Sequence, residues 1–133
     1  MGVEEIPDIA LWGLGVLMFF LGASIQSAVD CFAYRRANNE SWVKGRSHCE
    51  MCGHALGFID LIPCLGGFIR QGRCKYCGRW FGYEGSIREG LNGVCLMMGV
   101  AFLGLTADFA IYALVLEMAH TTIALMFTQP KGR

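Results

Sequence analysis

The chain has 133 residues, 54% of them hydrophobic and only 17% charged, with a mean hydropathy of +0.43. Its 11 Lys+Arg balance 11 Asp+Glu, which leaves no polybasic excess for nucleic acid, and no nucleic-acid partner is expected. A short chain this apolar suits a few membrane spans carrying a small polar module better than an ordinary soluble domain.

The amino terminus places Glu4, Glu5 and Asp8 ahead of an uncharged run over residues 9–29. As a helix this run is long enough to cross a hydrocarbon core of about 30 Å. A cleaved signal peptide needs a basic start and a shorter apolar stretch, so the run reads as an anchor. A polar linker, residues 35–48, leads to Cys49 and Cys52, with Gly53 directly after them. Next comes the apolar spacer of residues 58–69, then Cys74 and Cys77 with Gly78. Pro63 and Gly66-Gly67 exclude one regular long helix in that spacer. Its Phe58, Ile59, Leu61, Ile62, Leu65, Phe68 and Ile69 have two readings: the module's own small core, or a segment lying in the membrane interface or lining a substrate groove. Trp42, Trp80, Phe81 and Tyr83 near the ends of the insert suit the headgroup level. Uncharged residues 91–107 and the run 109–127, interrupted by Glu117 and His120, complete a count of three spans.

Basic residues set the expected orientation. Arg35, Arg36, Lys44, Arg46, Arg70, Arg73, Lys75, Arg79 and Arg88 fall between the first and second runs, and Lys131 and Arg133 follow the third. The positive-inside bias therefore predicts a cytoplasmic insert and carboxyl tail, with the amino terminus outside.

Cys49/Cys52 and Cys74/Cys77 are two Cys-x-x-Cys-Gly turns separated by 21 residues, the interval of a four-cysteine zinc site. Two such pairs close a tetrahedron with no open position, so the metal is expected to be structural. A reducing cytoplasm disfavours the competing use of the four thiols in disulfides. His48 and His54 flank the first pair and are substitutes only if a cysteine is lost. Cys31, Cys64 and Cys95 lack partners in the sequence; two of them lie within or beside apolar spans, where a free Cys behaves as a small hydrophobe.

Few other residues carry chemistry. Glu117 and His120 share one helical face within the third run, where an ionisable residue is a functional candidate. The plainer readings are a Glu–His hydrogen bond or a Glu that holds another helix. Glu89 sits where the second span begins; it either complements a helix N-terminus or contacts a cationic ligand. Arg35, Arg36, Arg70 and Arg73 suit lipid phosphates.

In order, the motifs Arg46-Ser47-His48-Cys49, Asp60-Leu61-Ile62-Pro63, Gly72-Arg73-Cys74 and Glu89 resemble the loop of the bacterial type IV prepilin peptidase/N-methyltransferase family. Ser27, Asp30, Tyr34 and Arg35 match a further family motif, in which Gln26 replaces the usual Gly and Asp30 the usual Asn. The resemblance runs from about Ser24 to Gly93. It implies enzymes that cut the leader from prepilins and pseudopilins, then methylate the new amino terminus with S-adenosylmethionine. In that family the peptidase chemistry belongs to two aspartates, the second in a Gly-x-Gly-Asp motif. This chain has only Asp8, Asp30, Asp60 and Asp108, and Gly13-Leu14-Gly15 leads into Val16. It stops near where the first catalytic aspartate would stand, so no aspartyl peptidase activity is expected.

The expectation is a mainly α membrane protein of the bacterial inner membrane, a single amino-terminal-like domain over residues 1–133. Spans at 9–29, 91–107 and 109–127 would enclose a cytoplasmic zinc ribbon at 35–88, with Cys49, Cys52, Cys74 and Cys77 as ligands. Its partners would be membrane lipid, a prepilin or pseudopilin, and a separate peptidase or pilus-assembly subunit. S-adenosylmethionine would be the methyl donor; Glu89, Glu117 and His120 are the weak catalytic candidates. The rival readings are a non-catalytic zinc-binding adaptor of a pilus or secretion assembly, and a shortened form of a full prepilin peptidase.

Overall fold

A computed structural model describes residues 8–41, 45–49 and 51–129. The expectations resting on Trp42, Lys44 and the terminal charges Glu4, Glu5, Lys131 and Arg133 fall outside those residues. Four α-helices follow in order: α1 Asp8–Ala37, α2 Leu65–Ile69, α3 Glu84–Leu103 and α4 Ala107–Phe127, with one 3-10 turn at Ile59–Leu61. As the three uncharged runs predict, α1, α3 and α4 are long and apolar enough to cross a membrane.

Their ends are set by local caps rather than by charge. No proline or glycine interrupts residues 23–37, so α1 continues past Val29 through Asp30 and the two arginines of its last turn. There Arg35 and Arg36 complement the negative end of the helix dipole. Asn39 then turns left-handed at φ +56, donating from its N–H to Arg36 O, while the Glu40 N–H reaches Arg35 O at 2.8 Å. This pair of bonds is a Schellman stop. The second span lies further toward the amino terminus than its uncharged run. Glu84, Arg88 and Glu89 are good helix formers and join α3, whereas Gly104 at φ +64 ends it four residues before the run does. Thr106 then starts α4 as its N-cap, accepting from the Phe109 N–H at 3.3 Å.

Close approaches order the bundle. Asp30 meets Arg88, Gly22 meets Gly93, and Gly15 faces Met97, so α1 and α3 run antiparallel. Tyr112 lies against Gly99 and donates to Cys95 O at 3.0 Å, and Glu117 meets Asn92, which sets α4 antiparallel to α3. A Cβ on Gly93 would stand 2.6 Å from Phe19 O. That is the small-residue contact by which helices pack where lipid supplies no hydrophobic drive. The buried apolar positions are small or medium: Ala23, Ala33, Leu96 and Val100 among the helices. Among the described residues the largest fully buried side chains are Gln26 and Asn92, whereas Trp12, Phe102, Leu114 and Met118 are exposed. Polar groups inside and large apolar groups outside suit a hydrocarbon solvent.

Between α1 and α3 the insert folds as two tight hairpins flanking the spacer. The spacer is not the hairpins' core: Phe58, Ile59, Leu61, Leu65, Phe68 and Ile69 all remain exposed, and Gly66 is the one buried residue of α2. Gly66 and Gly67, expected only as breakers, sit within the short α2 because nothing larger fits. A Cβ on Gly66 would strike Asp60 O, and one on Gly67 would strike the Ser86 hydroxyl of α3.

Candidate metal centre and polar seam

Each cysteine pair is built the same way. In the first hairpin the Cys49 N–H donates to His54 O (2.9 Å), Gly53 N–H to Cys49 O (2.8 Å) and Leu56 N–H to Ser47 O (2.7 Å). In the second, Cys74 N–H donates to Arg79 O (3.0 Å), Gly78 N–H to Cys74 O (3.0 Å) and Phe81 N–H to Gly72 O (2.8 Å). Gly53 and Gly78 take φ values of +67 and +68, a turn that other residues resist. Their bridges, His48 with Ala55 and Arg73 with Trp80, also correspond.

The hairpins bring four sulfurs together. Cys49 Sγ lies 3.8 Å from Cys77 Sγ, Cys52 Sγ lies 3.9 Å from Cys74 Sγ, and all four fall within 4.8 Å of one another. A tetrahedron with metal–sulfur bonds of about 2.3 Å has edges of about 3.8 Å, which two of the sulfur pairs already match, so the set suits a zinc ion. All seven cysteines are free thiols. Backbone N–H groups of Cys52 and Met51 point at Cys49 and hold its thiol down at about 6. At Cys52 the His54 N–H pulls downward, but desolvation and the sulfurs of Cys49, Cys77 and Cys74 outweigh it and push the thiol up to about 11. The flanking histidines are engaged elsewhere: His54 stacks on Tyr76 with centroids 3.4 Å apart, and His48 Nδ1 lies 3.2 Å from Arg46 O.

The spacer is clamped to α3 by Glu89. Its Oε2 accepts from the Cys64 N–H at 2.5 Å, fixing a residue held at φ +65. Burial, and then the Glu89 carboxylate, push the Cys64 thiol above its ordinary value. Asp60 pins the other side of the turn by accepting from the Gly57 N–H at 2.9 Å and pairing with Arg70. Arg35, expected at lipid phosphates, is instead buried and donates to Ser41 O and Gly45 O, which lie against the end of α1.

A polar seam runs between the long helices. Gln26 donates to Asp30 at 2.9 Å, and Asp30 accepts from Arg88 of α3 at 3.1 Å. The two α1 positions that depart from the family motif thus bond to each other. One turn deeper, Asn92 donates to Gly22 O at 3.0 Å and to Glu117 Oε1 at 2.9 Å, joining all three long helices. No hydrogen bond links Glu117 to His120 among the described residues; Glu117 holds another helix, as one of its plainer readings expected. His120 instead lines a cavity of about 290 Å³ with Gln26, Asp30 and Arg88. Asn92 is the residue that sequence reasoning missed, although an Asn beside Gly93 inside an uncharged run was a visible signal.

Three antiparallel membrane-length helices with a four-cysteine ribbon between the first and second define a multi-pass membrane protein with a candidate metal centre. The chain belongs to the bacterial peptidase A24 N-terminal domain family, which matches it over residues 20–103. It is also 31% identical over 125 residues to the prepilin leader peptidase/N-methyltransferase of Myxococcus xanthus, an alignment covering 86% of this chain. The chain spans 37% of that relative's length. No solved structure gives a significant match.

Proposed function

We propose that this chain is a prepilin-processing component of the bacterial inner membrane. It binds a prepilin or pseudopilin and methylates the freed amino terminus, with no aspartyl peptidase activity of its own. The observation that carries the reading is the family match over residues 20–103, with the ribbon motifs in order and their cysteines gathered. The ribbon's excess of basic residues supports a cytoplasmic location for it. Zinc held by Cys49, Cys52, Cys74 and Cys77 would fold the ribbon and take no part in the reaction, since a closed four-sulfur site leaves no open position.

S-adenosylmethionine, when bound, supplies the methyl group; it is a sulfonium cation, and the acceptor is an amine. Both need a site without excess positive charge. The seam cavity meets that condition, since Asp30 balances Arg88 while Gln26 and His120 add polar atoms. The larger groove beside the hairpins does not, with Arg70, Arg73, Lys75 and Arg79 outweighing Asp60 and the metal-site sulfurs of Cys49 and Cys74. Asp30 and Asp60 are each ion-paired, with Arg88 and Arg70.

The test uses the zinc-loaded full chain in nanodiscs with methyl-labelled S-adenosylmethionine. Label should pass to the amine of a cleaved pilin, while an uncleaved prepilin stays intact. No transfer with zinc bound would remove the transferase assignment, and leader cleavage would remove the statement about peptidase activity. The adaptor reading gains support if the chain copurifies with a pilus-assembly subunit while its deletion leaves pilin maturation unchanged.

A further inference from the structure

The spacer's position relative to α3 fixes its depth. Gly67 lies against Ser86, the Cys64 N–H bonds Glu89, and Cys64 Sγ is 3.2 Å from where a Cβ on Gly90 would stand. The segment from Cys64 to Gly67 is therefore packed beside residues 86–90, the first two turns of a membrane-length helix. At 1.5 Å of rise per residue these turns cover about 9 Å. An interfacial zone of roughly 5–8 Å lies on each side of the hydrocarbon core. Next to that segment Phe68 is 50% exposed, with Leu65 and Ile69 exposed beside it. An apolar face of this kind is costly in water and favourable at the edge of a bilayer.

A cavity of about 480 Å³ opens beside this face, between α2 and the hairpins. Arg70, Arg73, Lys75 and Arg79 line it, opposed by Asp60, already paired with Arg70, and by the metal-site sulfurs of Cys49 and Cys74; the four cations still outweigh these negative groups. Aromatic rings connect the two surfaces. Phe68 of α2 stacks on Tyr83 at 5.3 Å, Tyr83 meets Trp80 edge-on at 5.3 Å, and the Arg73 guanidinium lies 5.7 Å from the Trp80 ring centre. Cations at headgroup height beside an apolar ledge match one ligand in both charge and shape. We propose that this groove binds an anionic phospholipid of the leaflet on the ribbon's side. Its phosphate sits among Arg73, Lys75 and Arg79, and its acyl chains lie along Leu65, Phe68 and Ile69. The lipid sets the ribbon's height and tilt on the bilayer, a role independent of whether the chain transfers methyl groups.

The zinc-loaded full chain, reconstituted in phosphatidylcholine nanodiscs with and without phosphatidylglycerol, tests this. In a Trp12→Phe, Trp42→Phe variant, which leaves Trp80 as the sole reporter, lipids brominated on their acyl chains should quench the fluorescence. Native mass spectrometry should find phosphatidylglycerol retained in preference to phosphatidylcholine. Replacing Arg73, Lys75 and Arg79 by Gln should weaken retention roughly fivefold per charge, on the order of a hundredfold together. Arg73→Lys with Arg79→Lys should keep it. Unchanged zinc content shows that the variants stay folded; should the triple Gln variant lose zinc, the comparison passes to Arg73→Gln alone, where a fivefold loss is expected. Absent quenching, equal retention of both lipids, or neutral variants binding as well as the parent would each overturn the proposal. Displacement of the lipid by inorganic phosphate would make this a free-anion site, and displacement by an acidic peptide would make it a protein-docking site; either result overturns it.

Discussion

Two backbone N–H groups aimed at Cys49 hold its thiol down at about 6, while the thiol of Cys52 is pushed up to about 11. A thiol held down at about 6 is thiolate above that pH and loses reactivity as pH falls through it. These acidities belong to the folded ribbon, so in zinc-stripped protein, where the ribbon unfolds, Cys49 and Cys52 should be alkylated at like rates. Mass mapping of the modified peptides checks this; Cys49 reacting well ahead of Cys52 would show that the ribbon keeps its fold without the metal. The four cysteines were legible because the ligand pattern is written in short spacings. Glu89 was not, since its partner Cys64 lies 25 residues away and only the fold brings them together. Gln26 and Asp30 looked like two separate departures from a family motif, yet they are one turn of helix apart and hydrogen-bonded. An i, i+4 spacing on a helix permits such a pair without requiring it.

For the helices, the runs of uncharged residues told how many would form but not where they would stop. Charge reports solvent preference, whereas Asn39 and Gly104 end α1 and α3 through a backbone conformation that hydropathy does not register. Packing between helices was less legible still. Gly22 and Gly93 are two of many glycines in the sequence, and nothing local marks them as the crossing of α1 with α3. There Gly93→Leu must displace Phe19 or part the helices, at a cost of about 1–3 kcal/mol. Asn92→Leu removes the bonds to Gly22 and Glu117, where membrane hydrogen bonds average about 0.6 kcal/mol each. Thermal unfolding in detergent should rank Gly93→Leu as the more damaging of the two. The reverse order would mean that the polar seam, not the close crossing, holds the bundle together.

Across the whole molecule, the ribbon and the bundle draw their stability from different sources. The bundle is apolar outside and polar inside, so its surroundings hold it; the hairpins bury little and depend on their metal. Chelation in nanodiscs should therefore unfold the ribbon and leave the long helices formed. Hydrogen exchange would show this as lost protection at the Cys49, Gly53, Cys74 and Gly78 amides, with α1 and α3 unchanged. Collapse of the helices together with the ribbon would refute that separation. Composition revealed the bundle from outside, because lipid-facing side chains dominate the sequence. It could not reveal that the apolar spacer lies beside α3 rather than inside the ribbon, since Phe58 and Phe68 suit either place.

The two hairpins repeat one another at a fixed offset of 25 positions, 49/74, 53/78 and 54/79, down to the same main-chain bonds. A metal ion held between them would meet the two halves alike, with Cys49–Cys77 and Cys52–Cys74 at 3.8 and 3.9 Å, and the backbone gives it no reason to prefer either half. The first pair's thiols break that symmetry, Cys49 held down and Cys52 pushed up. Capture should begin at the amino-terminal half, which emerges first during synthesis, and the later half then closes over an ion already held.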